Sequence, residues 1–305
     1  MNALPDAIRA DWRKARRLEI WTLAWIGSIV AIMYYAMGSS QAMKSAIFED
    51  LLSLVPAIVW LVAAHFEKKA PDARFPYGFH RAQSLAFLIA ATALASVGAF
   101  LLYESAMTLL KAEHPPLGAV HPFGIEPGIW SGWLMIGALA YSIVPPVILG
   151  RMKLPVARRI RDKVLHTDAM MQKADWQTGA TGIAGIVGLG LGYWWADAAA
   201  AAIISFSILA DGIKGLRTAA AELVDGAPRE LGGDAISQHA AELAGHYRIA
   251  YPDATIRTRE TGRFIKLEVH GARPEDARAP LPDIRDDWRI DDIAFVPGCD
   301  EGSSG

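Results

Sequence analysis

Six apolar stretches constrain this chain more than any other feature; they run approximately over residues 19–38, 45–66, 84–110, 129–150, 169–192 and 196–216. Each is close to the ~20 residues that a helix needs to cross the hydrocarbon core of a bilayer. A composition of 52% hydrophobic and 20% charged residues is too apolar for a soluble chain of 305 residues and too polar for membrane throughout. A membrane part followed by a soluble part satisfies both limits. The runs GATGIAGIVGLGLG (179–192) and ADAAAAAIIS (196–205) are rich in small residues that let helices approach closely, and Trp194 and Trp195 sit where a membrane boundary is expected.

Basic residues orient the bundle. Arg9, Arg13, Lys14, Arg16 and Arg17 precede the first span. Lys68, Lys69, Arg74 and Arg81 lie between the second and third, and Arg151, Lys153, Arg158, Arg159, Arg161 and Lys163 between the fourth and fifth. The opposite connections hold little beyond Lys44 and Lys111, so the positive-inside rule places both termini in the cytoplasm. The basic opening lacks a clear signal-peptidase site and reads as an anchor. The predicted organisation is a cytoplasmic segment over 1–18, a six-helix transmembrane domain over 19–216, a cytoplasmic domain over 222–298 and a tail over 299–305.

In that cytoplasmic domain DAISQHAAELAGHYRIAYPD (234–253) reads as an amphipathic helix. RFIKLEVHG (263–271) alternates as a half-buried strand, and WRIDDIAFVP (288–297) reads as a final strand. The expected fold is thus a membrane α-helical bundle of six transmembrane helices followed by a small α+β domain. A net charge of −2 gives no reason to expect a nucleic-acid partner, and Cys299, the single cysteine, excludes an intrachain disulfide or a cysteine-rich metal site.

Charged side chains within the apolar stretches are costly in lipid, so they face a cavity, a partner or a transported ion. Glu49 and Asp50 open the second stretch, with Ser53 one helical turn beyond Glu49 on the same face. Asp168, Met171, Gln172 and Asp175 line up at helical spacing in the fifth. Two such faces offer Glu49, Asp175 and either Asp50 or Asp168 as carboxylates, with Ser53 or Gln172 as neutral oxygens. A set rich in oxygen and without imidazole suits manganese, magnesium or another hard ion better than tetrahedral zinc, and a participating Met171 pulls toward a softer one. Structural alternatives stand beside each role: Met171 as packing, Asp50 as a cap or a partner of Lys44 or Lys173, and Asp168 as a charge favouring a helix N-terminus. Lys173, adjacent in sequence, is a cation that would neutralise these carboxylates in a buried salt bridge.

The loop PDARFPYGFHRAQSLAFL (71–88) resembles the PDxxHPYGYGRAESLAAL stretch of the cation diffusion facilitators, proton-coupled exporters of divalent metals. DAMMQKADWQTG (168–179) is similar to their fifth-span segment, and WWADAAAAAIIS (194–205) to the start of their sixth. The resemblance covers roughly residues 17–297. It implies a homodimer, a ferredoxin-like cytoplasmic domain, and a metal site on the second and fifth spans whose positions fall on Glu49 and Ser53, Met171 and Asp175. Only Asp175 matches the usual residue there. In the loop it implies an accessory site reduced to Asp72 and His80, since Phe75 and Phe79 stand in the places of the family's histidines. In the last domain Glu268 stands where a metal-binding histidine is common, with His270 two residues on, so dimerisation by packing is expected there.

The function expected from these residues is export of a divalent cation, manganese or iron(II) ahead of zinc, in exchange for protons. Glu49, Asp175 or His166 would carry the proton, and no organic cofactor is implied. The expected location is a bacterial inner membrane. The alternative is a non-transporting sensor or scaffold of the same family with a salt-bridged site. An enzyme is the weakest reading, because the chain has no phosphate loop, nucleophile elbow or paired-histidine protease motif.

Overall fold

A computed structural model describes residues 5–36, 50–111, 119–120, 129–191, 193, 195–272 and 287–297. Helix α1 spans Asp6–Ala36, α2 Val55–Phe66, α3 Arg81–Lys111, α4 Ser131–Arg159, α5 Lys163–Gly190 and α6 Ala196–Leu223. A two-residue ribbon pairs β1 (Ala119–Val120) with β2 (Ile129–Trp130) ahead of α4. Helix α1 starts a dozen residues before its apolar stretch, because nothing in DAIRADWRKARRLEIW breaks a helix. Helix α5 follows α4 after a tight turn in which Arg161 adopts a positive φ of 51°.

Among the described residues, α3 and the segment Ala198–Leu223 qualify by length and composition as membrane-crossing helices, and Asp50–Phe66 is a shorter apolar helix. The burial pattern extends the argument to their neighbours. Large apolar side chains such as Trp21, Val62, Ile148, Val187, Ile203 and Phe206 face outward, while Glu19, Lys153 and Asp168 are fully buried. A water-soluble bundle would have the reverse arrangement.

Without a hydrophobic driving force between helices in lipid, close backbone approach supplies the attraction. Helices α3 and α6 use it most. A Cβ on Gly98 would stand 2.5 Å from the Leu209 backbone nitrogen, and one on Gly212 would stand 2.5 Å from the Ala95 Cα. Between α4 and α5 the same role falls to Gly179, whose Cβ would meet Ile143 at 2.7 Å. Toward the basic loops, Trp60, Ala63, Phe87, Val156, Ile160 and Leu165 form an apolar core drawn from α2, α3, α4 and α5.

Residues 50–53 are helical, a turn follows at Leu54, and α2 runs on from Val55 with Pro56 in its first turn. Proline is at ease there but has no N–H to give the Leu52 carbonyl. The interruption therefore falls next to Ser53.

The C-terminal unit contains α7 (Gln238–Ala250) and the strands β3 (Thr255–Thr261), β4 (Phe264–His270) and β5 (Ile290–Val296), in sheet order β3-β4-β5. Strands β3 and β4 form a hairpin from Thr255 opposite His270 to Thr261 opposite Phe264. Strand β5 pairs with β4 in parallel, with an irregularity at Ile265/Lys266. The alternation in FIKLEVH sends Ile265, Leu267 and Val269 into a core with Leu243 and Tyr247 of α7, as expected for that strand. The expected helix, strand, strand order gains a further strand, β3. Its TIRTRET sequence offers few apolar residues to a pattern search, yet it completes the sheet as an edge.

The hairpin tip plugs the C-terminal unit into the helices. Gly262 (φ +66°) makes the turn, and a Cβ there would stand 2.6 Å from the His80 carbonyl oxygen. Its N–H donates to Ser84 Oγ at 3.0 Å. Around it Lys163 pairs with Glu222 (2.8 Å) and Glu260 (2.6 Å), Arg289 with Glu260 (2.9 Å), and Arg263 with Glu67 (3.0 Å) and Asp162 (3.2 Å). Burial pushes the Glu260 carboxyl above its ordinary range, against the pull of Lys163.

Candidate cation site between α2 and α5

Ser53, just ahead of α2, and Asp175, midway along α5, meet side chain to side chain. The Ser53 hydroxyl donates to Asp175 Oδ1 at 2.8 Å; Ser53 is buried and Asp175 partly buried. These residues are 122 positions apart in the chain. Their contact therefore comes from α2 lying against α5, with Ser53 held at the turn that precedes Val55. A carboxylate oriented by a neutral hydroxyl is the kind of oxygen group that can ligate a cation.

The other candidate residues distribute unevenly around this contact. Asp50, one turn before Ser53, is half-buried. Glu49 lies outside the described residues. Met171 is fully buried in an apolar cluster with Leu94, Val97, Ala174 and Ile208. His166 is nine residues before Asp175, ~13 Å away along α5 at 1.5 Å per residue. It lines a cavity of about 80 Å³ with Asp211, Lys214 and Gly232.

Asp168 belongs to a second polar centre, two turns from Asp175. There Lys153 of α4 bridges two carboxylates, donating to Glu19 Oε2 of α1 (2.9 Å) and to Asp168 Oδ2. Lys153 also donates to Thr22 Oγ1 at 2.6 Å, and the Gln172 amide donates to Thr22 Oγ1 at 2.9 Å. Glu19, Thr22, Lys153 and Asp168 have no exposed surface, and Gln172 almost none. Sequence reasoning missed Lys153, which looked like one more basic loop residue, and Glu19, which looked like the polar edge of a span. The available signal was Asp168 and Gln172 sharing a face with spacing i, i+4. Lys173, anticipated as the neutralising cation, is exposed instead. It stands about 100° around the helix from Gln172.

In the loop, Asp72 Oδ1 accepts the backbone N–H groups of Arg74 (2.8 Å) and Phe75 (2.7 Å), the geometry of a turn cap. His80 packs edge-on against Phe264 with ring centroids 4.9 Å apart, and its Nδ1 is buried without a hydrogen-bond partner. In the C-terminal unit His270 Nε2 and Glu268 Oε2 lie 3.0 Å apart. Among the described residues, no three His, Cys, Asp or Glu side chains converge on one point.

Residues 20–224 match the family described as the cation efflux transmembrane domain, and that stretch includes α2, α5, the Ser53–Asp175 contact and all of the second polar centre except Glu19. The chain belongs to the cation diffusion facilitator family and is an integral membrane protein. It is 25% identical over 255 residues to metal tolerance protein 10 of Arabidopsis thaliana, covering 82% of this chain and 54% of that protein. It is 22% identical over 169 residues to the manganese efflux system protein MneS of Bacillus subtilis, covering 55% of this chain and 53% of that one. Metal tolerance protein 7 of Oryza sativa subsp. japonica is 23% identical over 285 residues, covering 90% of this chain and 67% of its own. The chain spans about half the length of the first two relatives.

Proposed function

We propose that this protein exports a divalent cation, manganese foremost, from the cytosol in exchange for protons. The observation that carries the reading is the Ser53–Asp175 hydrogen bond, because it joins the two spans at positions where the family resemblance implies ligands. Glu49, one turn from Ser53, and Asp50 would add carboxylate oxygens. This donor set is hard and suits manganese. The naming of one bacterial relative as a manganese efflux protein points the same way. Met171, in its apolar cluster, serves this site by packing.

The cation enters from the cytosolic side, displaces protons from Asp175 and Glu49, and leaves on the far side when protons reoccupy those oxygens. Carboxylates suit the exchange because ion and proton compete for the same lone pairs. Six spans, cytosolic termini, a homodimer and a bacterial inner membrane complete the proposal. The competing reading, a salt-bridged relative that no longer transports, draws its support from the Lys153–Asp168 pair. That pair leaves Asp175 outside it.

The test is ion flux in proteoliposomes under an imposed pH gradient, with manganese, iron(II), zinc, cobalt and magnesium offered separately. Saturable manganese flux that Glu49→Ala and Asp175→Ala each abolish is the expected result. Absence of flux for every ion, with folded dimeric protein, would sink transport and favour the salt-bridged relative.

A further inference from the structure

Where the start of α1 and the end of α2 meet the C-terminal unit, a cavity of about 760 Å³ opens beneath the apolar part of α1. That is the size range of small-molecule sites. Its lining includes Trp12, Arg13, Lys68, His80, Arg263 and Trp288. Arg263 is 2% exposed and uses only Nη2 in its ion pairs; Nε and Nη1 are buried without partners. His80 contributes a second buried and unpartnered nitrogen, Nδ1. A buried guanidinium with two idle N–H groups is costly unless something accepts from them.

The charges around the cavity select the ligand. Each acid in the lining already has a cation: Asp6 with Arg9 (3.6 Å), Glu67 with Arg263 (3.0 Å) and Asp291 with Lys266 (3.3 Å). Arg13 has no ion pair among the described residues, and Lys68 lies 4.5 Å over the Trp12 ring. The surplus is positive and comes from Arg13 and Lys68; Arg263, its charge answered by Glu67 and Asp162, adds unpartnered N–H donors. Guanidinium groups match the paired oxygens of a phosphate, and a lysine adds a point charge. Arg13 stands six residues before the first apolar stretch, which opens at about residue 19, ~9 Å along the axis at 1.5 Å per residue. That is the depth of lipid headgroups, and the two tryptophans suit the same zone.

We propose that this cavity binds a phosphate ester, held by Arg13, Lys68 and Arg263, with His80 as an additional donor. The ester is supplied either by an anionic phospholipid reaching in from the membrane or by a soluble organic phosphate from the cytosol. Bound there, it would bridge α1, α2 and the β3–β4 hairpin. The site lies outside the candidate cation centre and stands independently of the transport reading.

Binding to the full-length protein in a neutral detergent, followed by native mass spectrometry, tests this. The probes are dioctanoyl phosphatidylglycerol, dioctanoyl phosphatidylcholine and ATP, offered to wild type and to the double variant Arg13→Gln/Lys68→Gln. Both substituted residues are exposed, so the variant folds. Saturable binding of phosphatidylglycerol but not phosphatidylcholine, weakened at least about tenfold in the double variant, is expected for a lipid source. The same weakening for ATP alone assigns the site to a soluble phosphate. Binding of no probe, or equal binding by wild type and variant, overturns the proposal.

Discussion

Lys153 answers two carboxylates at once, and its position explains why α1, α4 and α5 hold together in a low-dielectric interior. Removing one member of a buried ion set costs ~3–5 kcal/mol, because the remaining charges lose compensation, whereas replacing the whole set can be nearly neutral. Lys153→Ala should therefore unfold far more easily in detergent than the triple variant Glu19→Gln/Lys153→Met/Asp168→Asn, as read by thermal unfolding. Equal losses would mean that the cluster acts through packing alone. At this scale the sequence was half legible. Asp175 and Ser53 could be found by helical spacing and family resemblance. The Glu19–Lys153 pair could not, because its members come from α1 and α4, and no local pattern links 134 positions of chain. Met171 was open between ligand and packing, and its apolar surroundings favour packing.

Helix pairs impose their own demands. Helices α3 and α6 touch backbone to backbone at Gly98 and Gly212, so a single methyl group must push them apart. Gly98→Ala or Gly212→Ala should destabilise by ~1–3 kcal/mol, the usual cost of overpacking. Gly137→Ala on α4, where nothing lies within 4 Å, should not. Thermal unfolding of the three variants checks this, and equal behaviour would contradict the close approach. The start of α1 and the end of α4 are clamped by Arg159, which donates to Asp11 at 2.6 and 2.7 Å and holds the Asp11 carboxyl below its ordinary 3.8. A lowered folded value means that the clamp is complete above about pH 4 and is lost as pH falls below it. Because Arg159 is half exposed, the effect is at most ~1 kcal/mol. The melting curves of wild type and Asp11→Asn should differ at neutral pH and converge in acid. The apolar stretches announced their helices clearly, but not the extension of α1 to Asp6 or the break at Leu54. Both have local causes that hydropathy does not register: no helix breaker in residues 6–21, and the N–H that Pro56 lacks.

For the whole molecule, the ionic cluster around the hairpin tip makes the C-terminal unit a partner of the membrane part. None of it was legible beforehand, since Lys163, Glu222, Glu260 and Arg289 come from four separate elements. The presence of a small α+β unit was readable from the alternation in FIKLEVH. The central claim is that the cation sits between α2 and α5 at Asp175, while Asp168, tied to Lys153, only supports the bundle. Manganese(II) is paramagnetic, so electron paramagnetic resonance reports its binding directly. The measurement is a manganese titration of wild type, Ser53→Ala, Asp175→Asn and Asp168→Asn in detergent. The account predicts binding by wild type and Asp168→Asn, affinity lowered ~10- to 100-fold in Ser53→Ala, as for loss of a group that orients a ligand, and no binding by Asp175→Asn. Binding that survives Asp175→Asn and disappears with Asp168→Asn would contradict it and move the cation to the Glu19–Lys153 centre.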